Sequence, residues 1–223
     1  FFTVDAGNLW KVQKENLLQS ITSTKVLDAV PDNLKGPDNQ WTAIAKRARA
    51  IFYNPLMVEE TEVNNLNYED LADSKWKNRI VIRSSNNMYN QSLVASLIAN
   101  LGETQTESWA KKLVSNFARK PQGNDRSQIM AVANGEADIA IANSYYIGIM
   151  LSGSAGEEQL NAAKKVKMLF PNQDNRGVHI NISGAGILKY APNVENANLF
   201  LEFLLSKKAQ KYIILLGMAG LFL

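Results

Sequence analysis

The chain contains no cysteine and a single histidine, His179, among 223 residues. The first absence excludes disulfides, thiolate metal sites and cysteine nucleophiles, and suits an oxidising compartment. The second removes most acid–base catalysis. Charge of one sign is also scarce, since 24 lysines and arginines stand against 21 acidic residues for a net charge of +3. The basic residues are scattered, apart from "KRAR" at Lys46 to Arg49 and short pairs such as Lys111 and Lys112. Nothing in that pattern demands nucleic acid. Long apolar runs are missing except in "YIILLGMAGLFL", Tyr212 to Leu223, which falls short of the about 20 residues a membrane-spanning helix needs. It is read as buried or anomalous and not as an anchor. What is present is 46% hydrophobic and 20% charged sequence, enough for one large domain or two modest lobes with their own cores.

Strand and helix signals alternate along the chain. "FFTVDAGNLW" reads as a strand running into a helix, and "RARAIFYNP", Arg47 to Pro55, as an extended segment closed by proline. "NRIVIRSS" precedes "MYNQSLVASLIANLG", where Leu93, Val94, Leu97, Ile98 and Leu101 mark one helical face and Gly102 ends it. "TQTESWAKKLVSNFAR" offers Thr104 and Glu107 as a capping box with Trp109, Leu113 and Phe117 inward. A helix from Asp125 to Gly135 gives way to the strand "ADIAIAN", and "KVKMLFPNQ" is a further strand. This order predicts an α/β protein with a mostly parallel sheet and helices on its faces. "SGAG", Ser183 to Gly186, is too short for a phosphate loop and is read as a turn. The final helix, "NANLFLEFLLSKKAQKYI", carries an apolar stripe of Leu199, Phe200, Phe203 and Leu204. The four dispersed tryptophans read as packing residues, and His179, in the alternating strand pattern "GVHINIS", as a packing or hydrogen-bonding residue.

Ligands of open parallel sheets sit where strands hand over to helices, and two such handovers carry tyrosine. "IVIRSSNNMYNQ" contains Tyr89, and "ADIAIANSYYIG" contains Tyr145 and Tyr146. If the two strands run parallel, the three phenols share one edge. Asn143 or Ser144 is placed to cap the second helix. A hard, highly charged cation would exploit three phenols, because a metal charge favours the phenolate and tyrosinate is a known ligand of iron. Ordinary half-buried tyrosines at helix starts account for the same residues. "RSSNN", Arg83 to Asn87, reads first as a cap of the Tyr89 helix and second as an anion site at a helix N-terminus.

Several motifs in order, "FTVDAGNLWK", "RARAIFYN", "YEDLADSKWKNRIVIRSSNNMYNQSLVA", "ARKPQGNDRSQI", "NSYYIG", "FPNQ", "NISGAGI" and "EFLLSKKAQ", give a resemblance to the periplasmic ferric-iron-binding proteins of ABC importers. The cyanobacterial type, which holds iron mainly through tyrosines, is the nearest in kind. The resemblance covers the chain to about Lys211. It implies a two-lobe solute-binding fold of type II, incomplete here, with residues 1–51 and 175–223 in one lobe and 52–174 in the other. It implies Fe3+ as the ligand, held by Tyr89, Tyr145 and Tyr146, with Arg49 supplying positive charge, Asn143 beside the site, and a synergistic anion as a further component. Ile149 departs from relatives that have a basic residue there.

The resemblance further implies a periplasmic, non-enzymatic receptor, monomeric when complete, whose partners are an inner-membrane ABC permease and its ATPase. The family's further tyrosine ligand would precede Phe1, and the family's polar continuation is replaced by the apolar tail, so both ends are expected to be truncated or altered. The tail from Ile213 to Leu223 is expected to pack across the exposed lobe or to promote association. The alternatives are a receptor for an organic or anionic solute and an enzyme using "RSS", against which stands the absence of a base near those serines.

Overall fold

The structure, a computed structural model, describes residues 1–215. In chain order the elements are β1 (Phe2–Val4), α1 (Ala6–Lys14), β2 (Leu18–Gln19), α2 (Thr24–Ala29), β3 (Trp41–Tyr53), α3 (Glu60–Val63), β4 (Ile80–Val81), α4 (Met88–Leu101), α5 (Glu103–Ser115), α6 (Asp125–Ala133), β5 (Ile139–Asn143), α7 (Tyr145–Leu151), α8 (Glu157–Lys165), β6 (Lys167–Leu169), β7 (Ile180–Leu188), α9 (Val194–Leu205) and α10 (Lys207–Leu215). Contacts divide the chain into two compact units. One comprises Phe1–Arg47 and the segment from Ile180 onward, the other Ala48–His179. The crossings fall at 47/48 and 179/180, where the sequence motifs suggested 51/52 and 174/175.

In the first unit, β1 and β2 both pair antiparallel with β7. The turn expected at "SGAG" is instead the interior of this strand. Glycine is there for close approach: a Cβ on Gly184 would lie 2.6 Å from the Thr42 carbonyl oxygen, and one on Gly186 would lie 2.7 Å from that of Gln40. The glycines let β3 backbone come in against β7. Two small apolar clusters, one around Ile21, Ile44 and Leu201 and the other around Leu9, Val30 and Ile182, form the interior. The final helical segment breaks at Ser206 into α9 and α10, and of the stripe assigned to it only Leu204 packs inward, against the Ile21 cluster. Leu199, Phe200 and Phe203 are each more than half exposed, whereas Leu201 is buried. Ile213 packs against the Ile21 cluster; the apolar tail from Leu216 on lies outside the described residues.

The second unit has a mixed sheet, correcting the mostly parallel one expected. β4 and β5 are parallel, with Ile80 opposite Ile139 and Val81 opposite Ala140, but β3 runs antiparallel to both β5 and β6. One apolar cluster on Trp76, Leu93, Leu97, Trp109 and Leu113 packs α4 and α5, and a second on Phe52, Ile129, Val132 and Met150 packs α6, α7 and α8. Burial of Leu93 and Leu97 contributes about 1.5–3 kcal/mol apiece, which fixes the axis of α4 and hence the position of Tyr89 at its start. The expected Thr104–Glu107 capping box does not form; α5 begins at Glu103 directly after Gly102, without a side-chain cap. The helix that follows is capped by Asn124, whose side chain accepts the Ser127 N–H. No helix among the described residues is long and apolar enough to cross a membrane.

Candidate metal centre

All five residues singled out from the sequence lie in the second unit, at one end of the β4–β5 pair. Asn87 caps α4 by accepting the Tyr89 N–H at 2.9 Å, so Tyr89 stands in the first turn, eight residues past Val81. Tyr145 and Tyr146 open α7 immediately after β5. The helical turn there places the two rings side by side, 4.2 Å between centroids and tilted by 35°, where a continued strand would have sent them to opposite faces. Ser144 occupies the cap position without capping: its hydroxyl accepts the Ala48 N–H at 3.2 Å and ties α7 to β3. Neither Asn143 nor Ser144 is therefore the side-chain cap expected.

The phenols are linked electrically as well as in space. Burial pushes the Tyr145 hydroxyl well above the ordinary phenol range, and hydrogen bonding and charge from Tyr146 and Tyr89 raise it further. Tyr146 is also raised, chiefly by burial, with Tyr89 and the Asp125 carboxylate adding to the shift and Arg83 opposing it. All three are half-buried.

Beneath the phenols lies a buried charged network. Arg49, 2% exposed, donates through Nη1 to Asp125 Oδ2 at 2.5 Å and Asn143 Oδ1 at 3.2 Å, and through Nη2 to Asn90 Oδ1 at 2.6 Å. Arg83 donates to Asp125 Oδ1 at 3.3 Å, and the Asn143 backbone N–H donates to Asp125 Oδ2 at 2.8 Å. Asn90 returns its amide to the carbonyl oxygens of Arg83 and Ser84. The guanidinium carbons of Arg83 and Arg49 stand 5.3 and 6.0 Å from the centre of the Tyr89 ring. A cation–π contact contributes about 0.5–2 kcal/mol, less than the about 3–5 kcal/mol at stake in breaking a buried ion pair. Asp125, and not the tyrosine ring, therefore sets where the two cations sit. The buried Tyr68 hydroxyl donates to the Arg49 carbonyl and accepts the His179 N–H.

Three buried donors in this network have no hydrogen-bond acceptor among the described residues: Nε of Arg49, Nε of Arg83 and Nδ2 of Asn143. Burying a polar group without a partner costs free energy, so the cluster is suited to an anionic group. No grouping of three or more histidine or acidic side chains with metal-binding geometry occurs among the described residues. The oxygen donors that do converge are phenols.

Asp125 and Asn90 were not picked out as site residues from the sequence, and Arg83 entered only within "RSSNN", a stretch weighed for its hydroxyls and backbone amides. Asp125 read as a helix start, which it is; its second role depends on Arg49 and Arg83, 76 and 42 residues earlier, a separation no local pattern encodes. His179 meets Arg49 through its backbone carbonyl, which accepts the Arg49 N–H at 3.0 Å, and "SGAG" lies within β7. Ser84 takes part through its backbone only among the contacts with Asn90.

Comparison with known proteins gives a consistent set of likenesses. The family described as bacterial extracellular solute-binding protein matches residues 2–218. Iron uptake protein A1 of Synechocystis is 49% identical over 211 residues, 95% of this chain and 58% of that protein. Iron uptake protein A2 of the same organism is 46% identical over 213 residues, 95% of this chain and 61% of that protein. Among solved structures, the Trichodesmium protein IdiA (FutA), in complex with iron and citrate, superposes with a TM-score of 0.91 at 52% identity, covering 97% of this chain and 67% of that one. The chain thus spans about three fifths of the length of the named relatives it matches.

Proposed function

The chain belongs to the bacterial extracellular solute-binding protein family, with the mixed α/β fold of its type II members, and from that premise we propose that it is a receptor for ferric iron. The observation that carries the reading is the meeting of Tyr89, Tyr145 and Tyr146 above the Arg49–Asp125–Arg83 network. Three phenolates and one trivalent ion sum to zero charge. Burial holds the Tyr145 and Tyr146 hydroxyls above the ordinary phenol range in the absence of metal, so these ligands must give up their protons as the ion enters, a step that a trivalent cation drives. The network beneath holds one more positive than negative group, which favours the phenolate form and offsets the cost of burying it. The unpartnered donors of Arg49, Arg83 and Asn143 suit an anion that completes the coordination. Relatives that bear iron-uptake names, and one solved with iron and citrate, support the same reading.

On this reading the protein catalyses nothing. It works in the periplasm and passes its iron to an inner-membrane permease driven by an ATPase. The boundaries of its two lobes are those of the contact units, at 47/48 and 179/180. The test is titration with ferric nitrilotriacetate followed in the visible range. Ferric phenolate absorbs by charge transfer, and one proton per ligated phenol should be released into unbuffered solution. A colourless complex with an organic or anionic solute would instead favour the tyrosines as hydrogen-bonding or stacking groups.

A further inference from the structure

Asp125 connects the two arms that carry the phenols. One arm is the segment from Arg83 into α4, which bears Tyr89; the other is the end of β5, which leads through Asn143 into Tyr145 and Tyr146. A single carboxylate touches both. Its Oδ1 accepts from Arg83 at 3.3 Å, and its Oδ2 accepts the Asn143 backbone N–H at 2.8 Å while also holding Arg49 on β3. The side chain is fully buried and sits in the first turn of α6, itself anchored by the Asn124 capping box. Asn90, one residue past Tyr89, closes the loop by accepting from Arg49 at 2.6 Å and donating to the Arg83 carbonyl at 2.8 Å. We propose that Asp125 is a positioning residue that fixes the distance between Tyr89 and the Tyr145–Tyr146 pair before any ligand arrives. It touches no ligand itself; it acts through Arg83 and through the backbone of Asn143. This inference rests on the iron reading only for its functional consequence, because the geometry it describes belongs to the ligand-free protein.

The physical argument is one of preorganisation. A metal site assembled from two separate chain segments loses affinity if the segments must be brought into register at binding, since that ordering then opposes association. Parallel pairing of β4 with β5 covers only two residue pairs and ends at Val81, eight residues before Tyr89. From Arg83 on, the carboxylate and the asparagines around it tie the two arms together beneath the phenols, which also bond each other.

The decisive experiment is a double-mutant cycle on the full chain with Asp125→Asn and Tyr89→Phe, read by competition for iron against nitrilotriacetate. The expected result is a loss of about 10–100-fold in ferric affinity for Asp125→Asn, the range for groups that orient metal ligands, shrinking toward no effect in the Tyr89→Phe background. An equal loss in both backgrounds would overturn the proposal, since it would mean that Asp125 merely stabilises the fold. Near-ultraviolet circular dichroism of the metal-free proteins supplies a readout that does not depend on iron. The tyrosine signal of the closely packed ring pair should change in a folded Asp125→Asn protein, and an unchanged signal overturns the proposal whatever metal does. If wild-type protein gives no charge-transfer band, the iron reading fails while the dichroism comparison still decides the positioning role. Should Asp125→Asn fail to fold, Arg83→Gln cuts one link and leaves the carboxylate with Arg49 and Asn143; the same change in dichroism and the same coupling to Tyr89 are expected.

Discussion

Arg47 and Arg49 stand two residues apart on β3, each buried and each paired with an aspartate in or just before the first turn of a helix, yet they do different things. Arg47 contacts Asp5, 3.4 Å away, and Ser183, all within the first unit. Asp5 also accepts from Asn181 and caps α1 by accepting the Gly7 N–H, with its own backbone held at φ 80°, a conformation costly for a residue with a side chain. That assembly bolts α1 to β7. In the second unit Arg49 has a carboxylate that is shared with another arginine, and both guanidinium groups face a tyrosine ring. What sets the Arg49 cluster apart from the Arg47 assembly is therefore not the ion pair but the surplus: an extra cation, unsatisfied donors and half-exposed phenols above them. The units differ at their surfaces too. The first carries most of the exposed apolar side chains, including a groove of about 570 Å³ lined by Phe1, Phe2, Leu17, Leu188, Tyr190 and Phe200.

The largest effect that would test this contrast is loss of a phenol oxygen. Tyr145→Phe or Tyr146→Phe keeps the ring and its packing, and is expected to lower ferric affinity by about 1,000-fold, roughly 4 kcal/mol, beyond what losing a group behind a ligand costs. Unchanged affinity in both variants would remove the metal centre from the second unit. Next comes Arg47→Ala, expected to cost about 3 kcal/mol of folding stability. This is the low end for breaking a buried pair, because Asn181 and the Gly7 amide remain on Asp5. Denaturant unfolding measures it, and iron affinity per folded molecule should stay the same.

Arg49→Ala should show the reverse balance. Asp125 keeps Arg83 as its cation, so the protein stays folded, while ferric affinity falls by about 10–100-fold. A variant as unstable as Arg47→Ala but with intact affinity would make the two arginines equivalent. The smallest effect is at alkaline pH in metal-free protein. The Tyr145 and Tyr146 hydroxyls, like that of buried Tyr68, are held above their unfolded value, with burial the main cause. Folded protein thus keeps protons that unfolded chain gives up from about pH 10. The stability they contribute is complete below that pH and declines as pH rises above it. Tyr145→Phe should flatten that decline, and an identical alkaline slope in the variant would mean that the phenol is not held neutral by the fold.

Much of this protein was legible in one dimension because its signals are local. Alternating apolar periods gave β1 with α1 and β5 with α7, Asn87 and Gly102 mark the ends of α4, and the tyrosines announce themselves by standing where a strand meets a helix. Their proposed role came from the resemblance and not from the residues, since ordinary half-buried tyrosines at helix starts account for the same pattern. Tertiary structure alone decided the rest, and the reason in each case is an interaction between distant segments. "SGAG" is a strand and not a turn because the carbonyls of Gln40 and Thr42 approach it too closely for any side chain. The sheet is mixed because β3, 13 residues long, serves both units and runs against β5. Asp125 matters because folding places it between Arg49, Arg83 and Asn143, and a buried carboxylate takes its role from the charges around it, which no neighbouring residue in the sequence reveals.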